Sequence, residues 1–130
     1  MSQTKRKICP FDIDSILLAI VGSRTFNDYN MLCDFIEDNY DIEKITHIIS
    51  GGAKGADSLG ERFAKEHGKE IIIFKPDWEK YGKKAGFIRN EDIIKECNSC
   101  VAFWDGKSHG TKNDIELCQK NKKDYKICFF

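Results

Sequence analysis

The chain has 130 residues, enough for one domain with a sizeable core, and its 21 Lys plus Arg balance 21 Asp plus Glu. Zero net charge argues against a general nucleic-acid binder, which carries a basic surface, but is compatible with a local cationic pocket. No apolar run reaches the length of a membrane helix and no secretory leader is recognisable, so a cytoplasmic protein with no membrane partner is expected.

Residues 1–14 show little periodicity and carry Lys5-Arg6-Lys7 and Pro10. They are expected to form a tail or edge segment, with one domain over residues 15–130. Ile16–Val21 is a continuous apolar run, the pattern of a strand buried on both faces. A helix is expected over Asp28–Asn39, with Met31, Leu32, Phe35 and Ile36 on one face. The second strand is Ile45–Ile49. The helix after it opens near Ala56, runs to His67 and stops at Gly68, a residue suited to the position after a helix. Glu70–Phe74 reads as the third strand. A helix carrying Ile93, Ile94 and Cys97 follows, then a strand over Cys100–Trp104. A last helix spans Thr111–Asn121 and a last strand Tyr125–Phe129. Alternating β and α elements imply a Rossmann-like, doubly wound α/β sandwich of about five mainly parallel strands with helices on both faces.

The six cysteines, Cys9, Cys33, Cys97, Cys100, Cys118 and Cys128, read as small core residues in a reducing compartment. Cys97-Asn98-Ser99-Cys100 is a lone CxxC. A closed zinc site needs four ligands, and no second pair is spaced for it. Nor does this CxxC open a helix, as a thioredoxin-like motif does. No two histidines have metal-ligand spacing, so no metal site is expected.

Residues 45–57, ITHIISGGAKGAD, are the most informative stretch. An apolar strand, a glycine turn from Ser50 to Gly55 and a helix start is the arrangement that presents backbone N–H groups to an anion. Neither standard fingerprint fits. GxxxxGK[ST] needs a glycine where Ala56 stands, and GxGxxG fails at Lys54. In open α/β sheets, ligands bind outside the carboxyl ends of the strands. The four loops at that edge are 22–27, 50–55, 76–86 and 105–110, and each holds glycine and a cation. The connectors at the other edge are short and merely polar. Glycine and positive charge on one edge point to a small anionic ligand. The 76–86 loop is long for a strand-to-helix connection and carries Trp78 and Tyr81. It is read either as a lid or stacking platform, or as a loop with Trp78 packed beneath it.

The motifs Gly22-Ser23-Arg24, Ser50-Gly51-Gly52-Ala53 with Gly55-Ala56-Asp57, Pro76-Asp77-Trp78, Arg89-Asn90, Trp104-Asp105-Gly106 and Ser108 with Gly110-Thr111 occur in order. On them the chain resembles the YspA/YpsA-related branch of the SLOG superfamily. That superfamily also includes the DNA-processing protein DprA and the "lonely guy" phosphoribohydrolases. The resemblance implies a Rossmann-like fold that binds nucleotides or their derivatives. Under it, Gly51, Gly52 and Gly55 form a phosphate cradle with Ser50 and Ala53. Gly22, Ser23 and Arg24 are expected beside it, with Arg24 on phosphate. Trp78, Asn90, Trp104, Ser108, Gly110 and Thr111 complete the expected ligand set. Asp57 is expected either to hydrogen-bond a ribose or to support the loop. His109 is a candidate phosphate contact or acid. The phosphoribohydrolases carry Gly-Thr-x-x-Glu with a catalytic glutamate, and Asp114 stands at that place, one methylene shorter. Their earlier Arg-Lys pair falls at Arg89-Asn90, so Arg89 and Asp114 are the catalytic candidates. Thr111 and Asp114 also have the spacing of a helix capping box.

Three functions follow from the resemblance. The first is a sensing or sequestering module for ADP-ribose, NAD or a nucleoside monophosphate, with no cofactor required, in a phage or stress setting. The second is phosphoribohydrolase activity on a nucleoside monophosphate. The third is DprA-like single-stranded DNA binding, against which the zero net charge counts. A homo-oligomer is compatible with all three.

Overall fold

The computed structural model describes residues 15–130, and the expected tail at 1–14 lies outside them. β1 is Ile16–Gly22, α1 Tyr29–Asn39, β2 Ile45–Ser50, α2 Ala56–Glu66 and β3 Glu70–Ile73. α3 (Trp78–Tyr81) and a 3-10 turn (Gly82–Lys84) lead into α4 (Ala85–Glu96), followed by β4 (Ser99–Trp104), α5 (His109–Lys120) and β5 (Asp124–Phe129). All neighbouring strands pair in parallel, in the order β3-β2-β1-β4-β5. The chain moves outward from β1 through β2 to β3, then crosses back to β4 on the other side. The strand order therefore reverses between β1 and β4, at the middle of the sheet.

The continuous apolar run of β1 is explained by two cores. Leu18 and Ile20 face one side, with Leu32 and Ile36 of α1 and Phe63 and Ala64 of α2. Ala19 and Val21 face the other, with Ile93 and Ile94 of α4 and Ile115 and Cys118 of α5. These side chains are essentially closed to solvent. Cys97, Cys100 and Cys118 are free thiols buried in the second core, as expected of small hydrophobes. Asp28 caps α1 by accepting from the Met31 amide at 3.0 Å. No helix among the described residues is long and apolar enough to cross a membrane.

Two expectations need correction. The 76–86 segment is not an irregular loop. Asp77 accepts from the Lys80 amide at 3.1 Å and nucleates the short helix α3, and the 3-10 turn joins it to α4. The last helix begins at His109, two residues before Thr111, with Ser108 at its N-cap. Thr111 and Asp114 are thus both inside the helix, and the capping-box reading fails.

Candidate functional site at the carboxyl edge of the sheet

A cavity of about 290 Å³ opens where the strand order reverses. Four segments build it. Val21–Thr25 come from the end of β1, Ala53 and Asp57 from the turn into α2, and Arg89, Asn90 and Ile93 from α4. Asp105, Ser108, Gly110, Thr111 and Asp114 come from the loop after β4 and the start of α5.

One wall is a chain of hydroxyls. Ser23 Oγ lies 3.0 Å from Ser108 Oγ, which donates to Thr111 Oγ1 at 2.9 Å. Asp105 shapes the loop beneath by accepting from the Lys107 and Ser108 amides, both at 2.8 Å. Those bonds favour its charged form and hold its carboxyl below the usual range. Trp104 braces the loop from behind, its Nε1 donating to the Ser108 carbonyl at 3.0 Å. Because the Ser108 hydroxyl is engaged with Ser23 and Thr111, it makes no capping bond to α5. The first-turn amides of His109, Gly110 and Thr111 have no acceptor among the described residues. Such amides carry the positive end of the helix dipole and attract anions. Arg24 is exposed at the same mouth and forms no ion pair among the described residues.

The opposite wall is a chain of amides around Arg89. Its Nη1 donates to the Gly51 carbonyl at 2.6 Å and its Nε to Asn90 Oδ1 at 2.9 Å. Asn90 Nδ2 donates onward to Asn113 Oδ1 at 3.0 Å, tying α4 to α5. Gly51 leaves room for this contact, since a Cβ there would sit 2.7 Å from Arg89 Nη1 and 2.8 Å from Asp57 Oδ2.

The expected phosphate cradle is occupied from within. Asp57 Oδ2 accepts from the Ala53 amide at 3.2 Å, and Ser50 Oγ accepts from the Gly52 amide at 3.1 Å. Ser50 in turn donates to Glu61 Oε2 at 2.8 Å, and the Ala56 amide is bound to the Ser23 carbonyl at 3.3 Å. A carboxylate thus lies where this type of turn holds an anion. Of the turn, only Ala53 lines the cavity, while Ser50, Gly51, Gly52 and Gly55 do not. A Cβ on Gly52 would point at Ile73 and Lys75, away from the cavity.

Asp57 and Asp114 form the acidic floor. Both are buried, at 6% and 5% exposure. Desolvation pushes Asp57 up to about 6, opposed by the Ala53 amide and the Arg89 charge. Burial also raises Asp114 well above the usual range, Asp57 adding repulsion and Arg89 opposing it. Asp114 Oδ1 is the one buried side-chain polar atom among the described residues without a hydrogen-bond partner. An unmet buried acceptor costs about 1–3 kcal/mol.

The structure therefore brings eleven of the expected residues to one cavity: Gly22, Ser23, Arg24, Ala53, Asp57, Arg89, Asn90, Ser108, Gly110, Thr111 and Asp114. It leaves out the rest of the glycine turn, Trp104 and Trp78, and His109 does not line it either. Trp78 is 55% exposed and touches the α4 position of Gly86, so it neither packs beneath a loop nor covers the cavity. The cavity also takes in Asp105, Thr25, Val21 and Ile93, which were not among the expected ligand residues. Thr25 and Asp105 lie in loops expected at the ligand edge, whereas Val21 and Ile93 read only as apolar positions of a strand and a helix.

A parallel sheet in this strand order, with a polar cavity at its reversal point, defines a Rossmann-like α/β domain. The chain belongs to the YspA, cpYpsA-related SLOG family, whose family model matches residues 17–81. It is similar to the Gene 61 protein of Mycobacterium phage D29, with 32% identity over 110 residues, covering 78% of this chain and 86% of that protein. Its fold is similar to that of DNA processing protein A (DprA) from Streptococcus pneumoniae. That likeness has a TM-score of 0.71 at 18% identity and covers 87% of this chain. The chain spans only 50% of that DprA chain, and at such identity the likeness is one of fold.

Proposed function

We propose that the chain binds a nucleotide or nucleotide derivative in this cavity, as a sensing or sequestering module with no resident cofactor. The observation that carries this is the first turn of α5, whose amides have no acceptor among the described residues and whose Gly110 and Thr111 line the cavity with Arg24 and Arg89. Phosphate seats there rather than at the Ser50–Gly55 turn, where Asp57 already fills the anion position. The cavity lies near the lower bound of small-molecule sites, roughly 300–1,000 Å³, which favours a nucleoside monophosphate over ADP-ribose or NAD. AMP, ADP-ribose and NAD should raise Tm by preferential binding to the folded state. At a hundredfold excess over Kd the gain is about 2.7 kcal/mol, a shift of several degrees. No shift with any nucleotide at millimolar concentration would overturn the proposal. An oligodeoxynucleotide that binds while mononucleotides do not, and weakens steeply with salt, would favour DNA binding instead.

A second reading, phosphoribohydrolase activity, is supported by one observation: Asp114 lines the cavity with an unpartnered oxygen and does not cap the helix. In N-glycosidic hydrolysis the sugar develops positive charge as the base leaves and water adds at the anomeric carbon. A carboxylate there stabilises that charge or takes the proton of the water. Arg89 is held rigidly enough to orient the substrate. Chromatography after incubation with nucleoside monophosphates should then show free base and ribose 5-phosphate. Asp114→Asn should abolish their formation while nucleotide binding persists. Turnover that survives Asp114→Asn places the catalytic carboxylate elsewhere.

A further inference from the structure

We infer that Asp114 makes the cavity selective for ribonucleotides, accepting a hydrogen bond from the hydroxyls of the ribose. The inference rests on the nucleotide-binding proposal above and concerns which part of the ligand meets the floor. Its first ground is the unpartnered oxygen of Asp114. Every other buried side-chain polar atom among the described residues has found a partner, including those of Ser50, Asn90 and Ser99. Asp114 lines the cavity and is 5% exposed, so a hydroxyl-bearing occupant could supply the donor it lacks. Ionised or neutral, a carboxyl group keeps an oxygen able to accept.

The second ground is spacing along one helix. The cavity-lining amides suited to phosphate belong to Gly110 and Thr111, and Asp114 stands three residues beyond Thr111 on the same helix. Three residues of α-helix rise about 4.5 Å, and side chains lean back toward the N-terminus. That separation matches a 5′-phosphate and the hydroxyls of its own ribose. The amino group of a base lies farther from the phosphate than either hydroxyl. A deoxyribose without hydroxyls offers Asp114 nothing and leaves its oxygen unmet in the complex.

The test is calorimetric titration of the intact chain with AMP, 2′,3′-dideoxy-AMP and IMP, repeated on Asp114→Ala and Asp114→Asn. AMP and IMP are expected to bind alike, and the dideoxy nucleotide about tenfold more weakly, the loss expected for one or two hydrogen bonds. Asp114→Ala should erase the preference, bringing AMP down to the dideoxy affinity. Asp114→Asn keeps shape and a carbonyl acceptor, and should retain it. Equal binding of AMP and dideoxy-AMP to the parent chain overturns the inference while leaving nucleotide binding intact. So does a preference that survives Asp114→Ala. Weak IMP binding with strong dideoxy-AMP binding would assign the donor to the base amine instead. Failure of all three nucleotides to bind refutes the underlying proposal itself.

Discussion

Gly55→Ala should melt about 10–20 °C below the parent protein. Gly55 has φ +77° and lies where the turn after β2 crosses the loop after β1. A Cβ built there would stand 2.6 Å from the Arg24 carbonyl carbon and oxygen, which are backbone atoms and cannot swing aside. Two costs add. Forcing an L-residue into this conformation costs about 1–3 kcal/mol, and relieving the overlap costs about 1–3 kcal/mol more. For a domain of this size each kcal/mol moves Tm by roughly 4 °C. Gly68→Ala is the control: φ is +66°, but no atom lies within 4 Å of the new Cβ. It should cost only about 1–2 kcal/mol. Equal melting of the two variants would show that the loops do not approach as closely as described.

The second large effect is on pH dependence. Asp57 has its carboxyl raised to about 6 in the folded chain, against an ordinary 3.8. Between those values the folded state holds the proton more firmly than the unfolded state. Stability therefore falls as pH rises through this window, by about 3 kcal/mol for a shift of about two units. This is opposite to a salt-bridged aspartate. The parent and Asp57→Asn should be compared by urea unfolding at several pH values from 4 to 7. Asparagine still accepts the Ala53 amide but carries no charge. The parent should lose stability relative to the variant from pH 4 to 6, after which the difference should level off. Glu66 and Asp105 titrate in the other direction, but they do so in both proteins and cancel, whereas the part of the Asp114 shift that comes from the Asp57 charge is lost in the variant and belongs to the measured difference. Parallel stability curves would mean that Asp57 is better solvated than its burial implies.

The strands and most helices were legible in the sequence because their apolar periods are long and local. β1, β2 and α2 fall within a residue of their expected bounds. The start of α5 was not, for a physical reason. Its N-cap Ser108 is bonded to Ser23, 85 positions away, so the local Thr111–Asp114 spacing mimicked a cap that tertiary contacts had placed elsewhere. Two glycines of the turn serve close approaches that the motif alone does not show, Gly51 to the Arg89 side chain and Gly55 to the loop after β1. The competing acceptors, Ser50 and Asp57, were in view within the motif itself. The long aromatic segment looked like a lid because a four-residue helix leaves almost no periodic trace.

The rim of the cavity is built from different material than the body of the domain. The apolar cores lie against opposite faces of the sheet. The rim is stitched by polar side chains: Ser23, Ser108 and Thr111 on one side, Arg89, Asn90 and Asn113 on the other. A substitution in either stitch leaves both cores intact. The rim can therefore be varied without the scaffold being refolded. Many of these polar side chains, from Arg89 to Asp114, lie beyond the segment 17–81 that the family model matches. The family model thus reads the first half of this molecule, while much of the cavity wall is drawn from the second.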